Sequence, residues 1–357
     1  MKRIVPWAIC VLAVIPPGCR HNIGPSAIVR DRYRYAASVS YSWKEQNLLN
    51  IVKVRYIDPP VFVDVGNIVT TYSLALGASA NAGIGTVVAG AGSGSIGVLG
   101  TYTNTPTITY TPLTGTKFIR GLVTPLSPEA LFISIQSGAP ADVVMSAVLA
   151  SINGLRNQEA TWNGIVPADP DFQRVRTLAG EIQRFGAMRI SVKKEPNEES
   201  TVLSFRTEDI PPEVHADIIE LLRLLKLNQS ANEFKIVSGF VSSNDTQVAV
   251  VTRSILGLMH TMAAQVEVPP EDLQRSLTFP GIERQEGAAK FMRLVRIHSG
   301  KSSPENAFVA VKYHDSWFWI DDNDLESKRV FSLMMLFFTM MDTEEKEGQP
   351  VLTIPAR

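Results

Sequence analysis

Between residues 65 and 116 the chain alternates between apolar positions and small or polar positions, with a period of two. From residue 72 the even positions are Tyr72, Leu74, Leu76, Ala78, Ala80, Ala82 and Ile84. A second run repeats the pattern with Ile96, Val98, Gly100 and Tyr102, and Leu99 is its exception. Successive side chains of a strand point to opposite faces. Because Gly90–Gly94 separates the runs, the pattern predicts a long β-hairpin with one apolar face and one small, neutral, polar face.

This segment is also free of charge. Its 52 residues from Val65 to Thr116 include no Asp, Glu, Lys, Arg or His, although 19% of the chain is charged. The two apolar faces coincide only if paired residue numbers have an even sum, and a sum of 176 makes the apolar face continuous. That register leaves Pro106 just outside the paired window, because proline cannot donate to an interior ladder. A bilayer-crossing strand needs about 9–11 residues. We therefore expect hairpin 67–111 to face a membrane through Tyr72, Leu74, Leu76, Ala78, Ala80, Ile96, Val98 and Tyr102.

The amino terminus has the pattern of a secretory signal. Lys2 and Arg3 precede an apolar stretch that ends at Ile15, and Gly18-Cys19 follows. The stretch is too short for a spanning helix, which needs about 20 residues. Cys19 after Gly18 resembles the lipobox of bacterial lipoprotein precursors, although prolines occupy positions 16 and 17. We expect residues 1–18 to be a signal peptide and Cys19 to be lipidated. The alternative is an ordinary signal peptide with an incidental Cys19.

The rest of the chain predicts an α+β fold, with mixed helices and mainly antiparallel sheets. We expect a polar tether at 20–32, a helix at about Tyr33–Tyr56 and a helix that opens at Ser127-Pro128-Glu129. The Pro-Glu pair recurs at Pro212, Pro270 and Pro304, and the first two recurrences suggest a loosely repeated strand-to-helix module. The predicted organisation is a tether and helix at 19–60, the uncharged hairpin at 61–116, a helical segment at 117–165 and an α+β region at 166–357. Further predicted strands are Met188–Lys194, Val202–Thr207, Phe234–Phe240, Phe291–His298, Ala307–His314 and Trp317–Ile320. Further predicted helices are Asp171–Phe185, Glu213–Leu227, Ser254–Gln265 and Asp324–Met341.

Composition and spacing argue against most kinds of chemistry. A formal net charge of −1 gives no basic excess for nucleic acid, and cleavage of the signal leaves Cys19 as the only cysteine. The glycines at 92–97 precede a predicted strand rather than the helix that a dinucleotide fingerprint needs. The acids at 321–326 lack the glycine and glutamate of an EF-hand and fit a helix cap better. The histidines are scattered, and His260 falls in a predicted helix that suits a core or interface. We expect no catalytic residue, metal or cofactor, and no enzyme activity.

Three longer strings resemble a group of uncharacterised bacterial outer-membrane lipoproteins. They are Trp43–Val52, Pro106–Gly115 and Asp315–Asp322. The resemblance implies an envelope location, with the anchored protein facing the periplasm. It implies no activity.

A single hairpin cannot span a bilayer alone, because its outer edges would expose unpaired amides to lipid. We therefore expect a homo-oligomer in which each subunit donates two strands to an outer-membrane β-barrel, as a pore or export component. The competing hypothesis is a lipid-tethered periplasmic scaffold that binds envelope proteins without forming a pore.

Overall fold

The computed structural model describes residues 25–82, 94–161, 164–195, 198–279 and 292–340. The chain divides into two compact units. The first comprises Met1–Ser42 and Val63–Thr111, and the second comprises Trp43–Phe62 and Pro112–Arg357. Helices are combined with mixed, mostly antiparallel sheets and with a long hairpin near the amino terminus. The predicted α+β class is therefore confirmed.

The first helix, α1, extends over Pro25–Arg55 and begins earlier than predicted. Part of the expected tether is therefore helical. Pro25 suits the first turn of a helix, and no glycine or further proline interrupts the chain before Tyr56. The helix ends just before Asp58 and its two following prolines, as predicted. Its last turns are buried through Leu48, Ile51 and Val52.

The strand after α1 starts from a fixed position in the second unit. The buried Asn50 side chain accepts a hydrogen bond from the Val61 N–H at 2.9 Å and donates to the Val61 carbonyl at 2.8 Å. Phe62 is fully buried, and its ring centroid lies 4.7 Å from that of Phe338 and 5.7 Å from that of Phe118. Aromatic contacts at these distances add to the burial of the rings. Phe62, the first residue of strand β1 (Phe62–Ala82), thus belongs to the core of the second unit.

A six-stranded sheet organises the second unit, with strand order β4-β3-β10-β9-β8-β7. Only β9 and β10 pair in parallel, and the other neighbours are antiparallel. The strands are β3 (Leu149–Ile152), β4 (Leu155–Arg156), β7 (Met188–Glu195), β8 (Glu198–Phe205), β9 (Glu233–Ser238) and β10 (Gln247–Thr252). Strand β10, which is absent from the predicted strands, lies inside the sheet and buries Val248, Ala249 and Val250. A separate sheet of two strands pairs β5 (Glu159–Thr161) with β6 (Gly164–Val166).

The helices after the hairpin confirm most of the predicted starts. They are α2 (Thr116–Val123), α3 (Pro128–Gln136), α4 (Ala141–Val148), α5 (Pro170–Arg184), α6 (Pro212–Leu224), α7 (Ile255–Ala263), α8 (Pro270–Gln274) and α9 (Leu325–Thr339). Ser127 caps α3 by accepting a hydrogen bond from the Ala130 N–H at 3.3 Å. The fourth Pro-Glu pair, at Pro304, opens no helix.

The carboxyl-terminal sheet has the order β11-β13-β12, with β11 at His298–Gly300, β12 at Ala307–Tyr313 and β13 at Ser316–Asp321. The strand predicted at Phe291–His298 is wrong for the residues described, because only His298 belongs to a strand. The Gln265 side chain accepts from the N–H groups of Leu294 and Val295, and Ser327 accepts from that of Arg296. Side chains thus replace a neighbouring strand along this segment.

A buried arginine holds the end of α4. Arg253 is 7% exposed, and its Nη1 donates to the carbonyls of Ser146 and Ala147 at 3.0 and 2.7 Å. Its Nη2 donates to the Gln158 carbonyl. These bonds satisfy carbonyls that a helix end leaves unpaired. Burial lowers the pKa of Arg253 to about 10, so the guanidinium remains charged at neutral pH.

Candidate membrane hairpin

The hairpin consists of β1 (Phe62–Ala82) and β2 (Gly94–Leu113), which form a sheet of their own. In the described part of the chain, neither strand has a second neighbouring strand. The strands contain 21 and 20 residues. At about 3.3 Å per residue each is roughly 65–70 Å long, about twice the 30 Å of a bilayer's hydrocarbon core. The hairpin is long enough to cross a bilayer and still extend well beyond it.

A glycine marks where the two strands approach each other near their base. A Cβ added to Gly66 would lie 3.5 Å from the Thr109 carbonyl oxygen and 3.6 Å from Oγ1 of Thr111. These threonines flank Tyr110, the residue that a pairing sum of 176 places opposite Gly66. The contact places Gly66 against the stretch Thr109–Thr111 of β2, and the pairing sum of 176 stays a prediction.

The strand continues through Pro106, which we had expected to lie outside the ladder. β2 includes both Pro106 and Pro112. Proline is tolerated in an edge strand, where its missing N–H removes no interior bond. In a sheet of two strands both members are edge strands, which explains the difference. The two prolines also remove N–H donors from the carboxyl-terminal half of β2. This half therefore offers fewer hydrogen bonds to any further strand.

One face of β2 carries a row of hydroxyl groups. Its odd positions are Thr101, Thr103, Thr105, Thr107, Thr109 and Thr111, and all six side chains are exposed. The even positions near the base expose apolar groups, since Tyr110 is 63% exposed and Ile108 is 39% exposed. Both faces of this stretch therefore carry exposed side chains.

The predicted membrane face lies in these strands. Tyr72, Leu74, Leu76, Ala78 and Ala80 belong to β1, and Ile96, Val98 and Tyr102 belong to β2. Their side chains fall outside what the structure describes, so the apolar face remains a prediction. The signal peptide, Cys19 and most of the predicted glycine turn also lie outside the described residues.

The structure brings together one charged cluster that spacing alone does not suggest. His298 of β11 lies between two carboxylates, with Nδ1 3.0 Å from Glu267 Oε2 and Nε2 3.2 Å from Asp321 Oδ2. Trp319 Nε1 donates to the other oxygen of Asp321 at 2.9 Å. Each ring nitrogen of His298 thus faces a carboxylate oxygen. None of these partners is a nucleophilic hydroxyl or thiol group. The cluster ties β11 to β13 and to the segment before α8.

The structure also shows the positions of the predicted helix cap at Asp324, of His260 and of part of the glycine-rich stretch. Asp324 caps α9 by accepting from the Ser327 N–H at 3.0 Å, which confirms the predicted cap. Burial alone would raise the pKa of Asp324, but the hydrogen bonds from Ser327 outweigh it and hold that pKa below its usual value. His260 is exposed on α7, so a core position for it is wrong. The glycines from Gly94 to Gly97 belong to β2 rather than to a helix start.

Within residues 25–82, 94–161, 164–195, 198–279 and 292–340, no helix is long and apolar enough to cross a membrane. In the same ranges no group of three or more His, Cys, Asp or Glu residues is arranged to hold a metal ion. Comparisons with protein-family models, with curated proteins and with solved structures found no match.

Proposed function

We propose that this chain is a lipid-anchored protein of the bacterial outer membrane that assembles with copies of itself and forms a pore or export channel from their hairpins. The observation that carries the proposal is the two-stranded sheet of β1 and β2. Its strands are about 20 residues long, and both outer edges lack a neighbouring strand among the described residues. Such a sheet needs a partner, and a second copy supplies a matching edge.

The hairpin in isolation is unfavourable both in water and in lipid. Two strands without further packing are at best marginally stable in water. In lipid the unpaired amides of the two edges would each cost several kcal/mol. Closure with the hairpins of neighbouring copies removes both penalties at once. Pro106 limits the ladder between copies to the part of β2 from Gly94 to Thr105, because proline offers no N–H.

The chemistry of the two faces suits this arrangement. The hairpin is free of charge from Val65 to its end at Leu113, so no charged side chain in this stretch opposes insertion. The exposed threonines of β2 would face the channel and supply hydroxyl groups to water. A lumen lined by hydroxyl groups favours weak ion selectivity over a strong preference for cations or anions.

A tethered scaffold without a pore is the second candidate. The prolines at 106 and 112 favour it, because a strand with missing donors is a poor template for strand addition. In this alternative the exposed Ile108 and Tyr110 would contact another envelope protein. The mass of the assembled protein separates the two candidates.

The detergent-extracted protein is expected to have several times the mass of one chain. The expectation follows from the need to pair both edges of the hairpin. Native mass spectrometry or light scattering measures the mass. A matched variant in which residues 72–104 are replaced by a short Asn-Gly turn should keep the second unit and be monomeric. A monomeric wild-type protein would contradict the proposal.

The anchor has its own test. Metabolic labelling with an alkyne fatty acid should tag the wild-type protein and leave Cys19→Ser unlabelled. Several acyl chains on one cysteine would give stable anchoring, whereas a single chain binds a membrane only marginally. Equal labelling of both proteins would rule out Cys19 as the attachment site.

A further inference from the structure

A cavity of about 860 Å³ lies against α5 and the edge strand β7 and has an excess of cationic side chains. Arg176 and Arg184 of α5 line it together with Arg329 of α9, and Asp142 of α4 is the one acid in its lining. The whole chain has a net charge of −1. The local excess of arginine therefore does not follow from composition.

The spacing along α5 places the cations on one side of the helix. Arg176, Gly180 and Arg184 are each four residues apart, so they share a face. A Cβ at Gly180 would lie 3.1 Å from the Asp142 Cβ, which is closer than such contacts normally are. The glycine thus allows α4 to approach α5 between the two arginines.

In the described part of the chain, the hydrogen-bond partners of Arg176 are neutral groups. Its half-buried guanidinium contacts the Met292 Sδ at 2.8 Å and the Ser146 Oγ at 3.4 Å through Nη1. Its Nε is buried and has no hydrogen-bond partner in the described part of the chain. An unsatisfied buried donor costs about 1–3 kcal/mol, and more when it is charged. By contrast, Arg174 forms two bonds with Glu220, at 3.0 and 2.6 Å.

The walls of the cavity are fixed without a ligand. The Gln183 side chain accepts from the Ala141 N–H at 2.7 Å and donates to the carbonyls of Ile135 and Ala139 at 3.0 and 2.8 Å. The Gln136 side chain accepts from the outward N–H of Ile190 at 3.0 Å. Ligand sites are usually largely preformed in this way.

We propose that this cavity binds a small molecule, or the end of a larger one, through a carboxylate or phosphate group. Arg176 supplies the main contact, and Arg329 supplies a second charge at the exposed side. Guanidinium groups bind both kinds of oxyanion with paired, charge-assisted hydrogen bonds. Nothing in this proposal depends on the hairpin.

Isothermal titration of the purified full-length protein with inorganic phosphate and, separately, with succinate tests the proposal. At least one probe should bind at millimolar concentration or below. Arg176→Met should weaken that binding by about tenfold or more, because it removes the central charge and keeps an apolar side chain of similar length. The preferred probe distinguishes a phosphate ligand from a carboxylate ligand.

Arg174→Met is the matched control, since it removes one positive charge from the same helix but outside the cavity. Its affinity should stay within about twofold of the wild type. Arg329→Gln alters an exposed side chain, so it should weaken binding with no loss of stability. Absence of binding by both probes would overturn the proposal. Equal losses in the Arg174 and Arg176 variants would also overturn it, because they would indicate a general effect of charge.

Discussion

Ala80→Arg and Val98→Arg are expected to prevent membrane integration, whereas Ser79→Arg is expected to be tolerated. In the predicted register the first two positions lie on the lipid-facing side, and the third lies on the opposite side of the same hairpin. An arginine facing lipid near the bilayer centre costs about 2–4 kcal/mol, whereas a residue facing the lumen stays hydrated. Because each subunit carries the same change, every subunit of the oligomer adds this free-energy cost to insertion.

The measurement is the fraction of each variant that remains in the membrane after an alkaline wash, together with the yield of the oligomer in detergent. Ser79→Arg provides the internal control, because it introduces the same side chain one residue away from Ala80. It should integrate normally and shift the channel toward anions. Identical behaviour of the three variants would mean that the two faces of the hairpin do not differ in environment.

Arg253→Met is expected to lower the free energy of unfolding by about 3 kcal/mol. The substitution keeps the apolar stem but removes the arginine donor from the buried carbonyls of Ala147 and Gln158. The Ser146 carbonyl loses the same donor but still accepts from Asn157 Nδ2 at 2.9 Å. Each buried acceptor that loses its partner costs about 1–3 kcal/mol, and partial relaxation reduces the sum. The midpoint of urea unfolding measures the change.

Arg174→Met again serves as the reference variant, because it also exchanges an arginine for methionine. Its pair with Glu220 is exposed and screened by solvent, so its loss should lower the free energy of unfolding far less than Arg253→Met does. Comparable losses in the two variants would show that Arg253 does not hold the end of α4 as its contacts indicate.

The sequence predicted the elements whose signals are local. The strands β1 and β2 and the starts of α3, α6 and α8 were predicted from neighbouring residues, and the structure has these strands and these helices. β10 was missed because Val248–Val251 is a short, continuous apolar run without a period. The strand expected at Phe291–His298 is wrong because its backbone bonds come from Gln265 and Ser327, about 30 residues away in the chain.

Long-range contacts explain what the sequence did not reveal about candidate sites. The partners of Arg253 are more than 90 residues away, and Met292 is 116 residues from Arg176. No spacing rule connects such positions. The one local signal at the cavity was the series Arg176, Gly180 and Arg184, with arginines two turns apart and a glycine between them. The carboxylates on both sides of His298 likewise come from two separate segments.

Conductance of the purified oligomer in a planar lipid bilayer shows whether the assembled hairpins form a pore. The wild-type protein is expected to give discrete, stable channels with weak ion selectivity. The variant in which a short turn replaces residues 72–104 is expected to give no channels. An oligomer that integrates into the bilayer yet conducts no more than the shortened variant would contradict the pore and leave the tethered scaffold as the function of this chain.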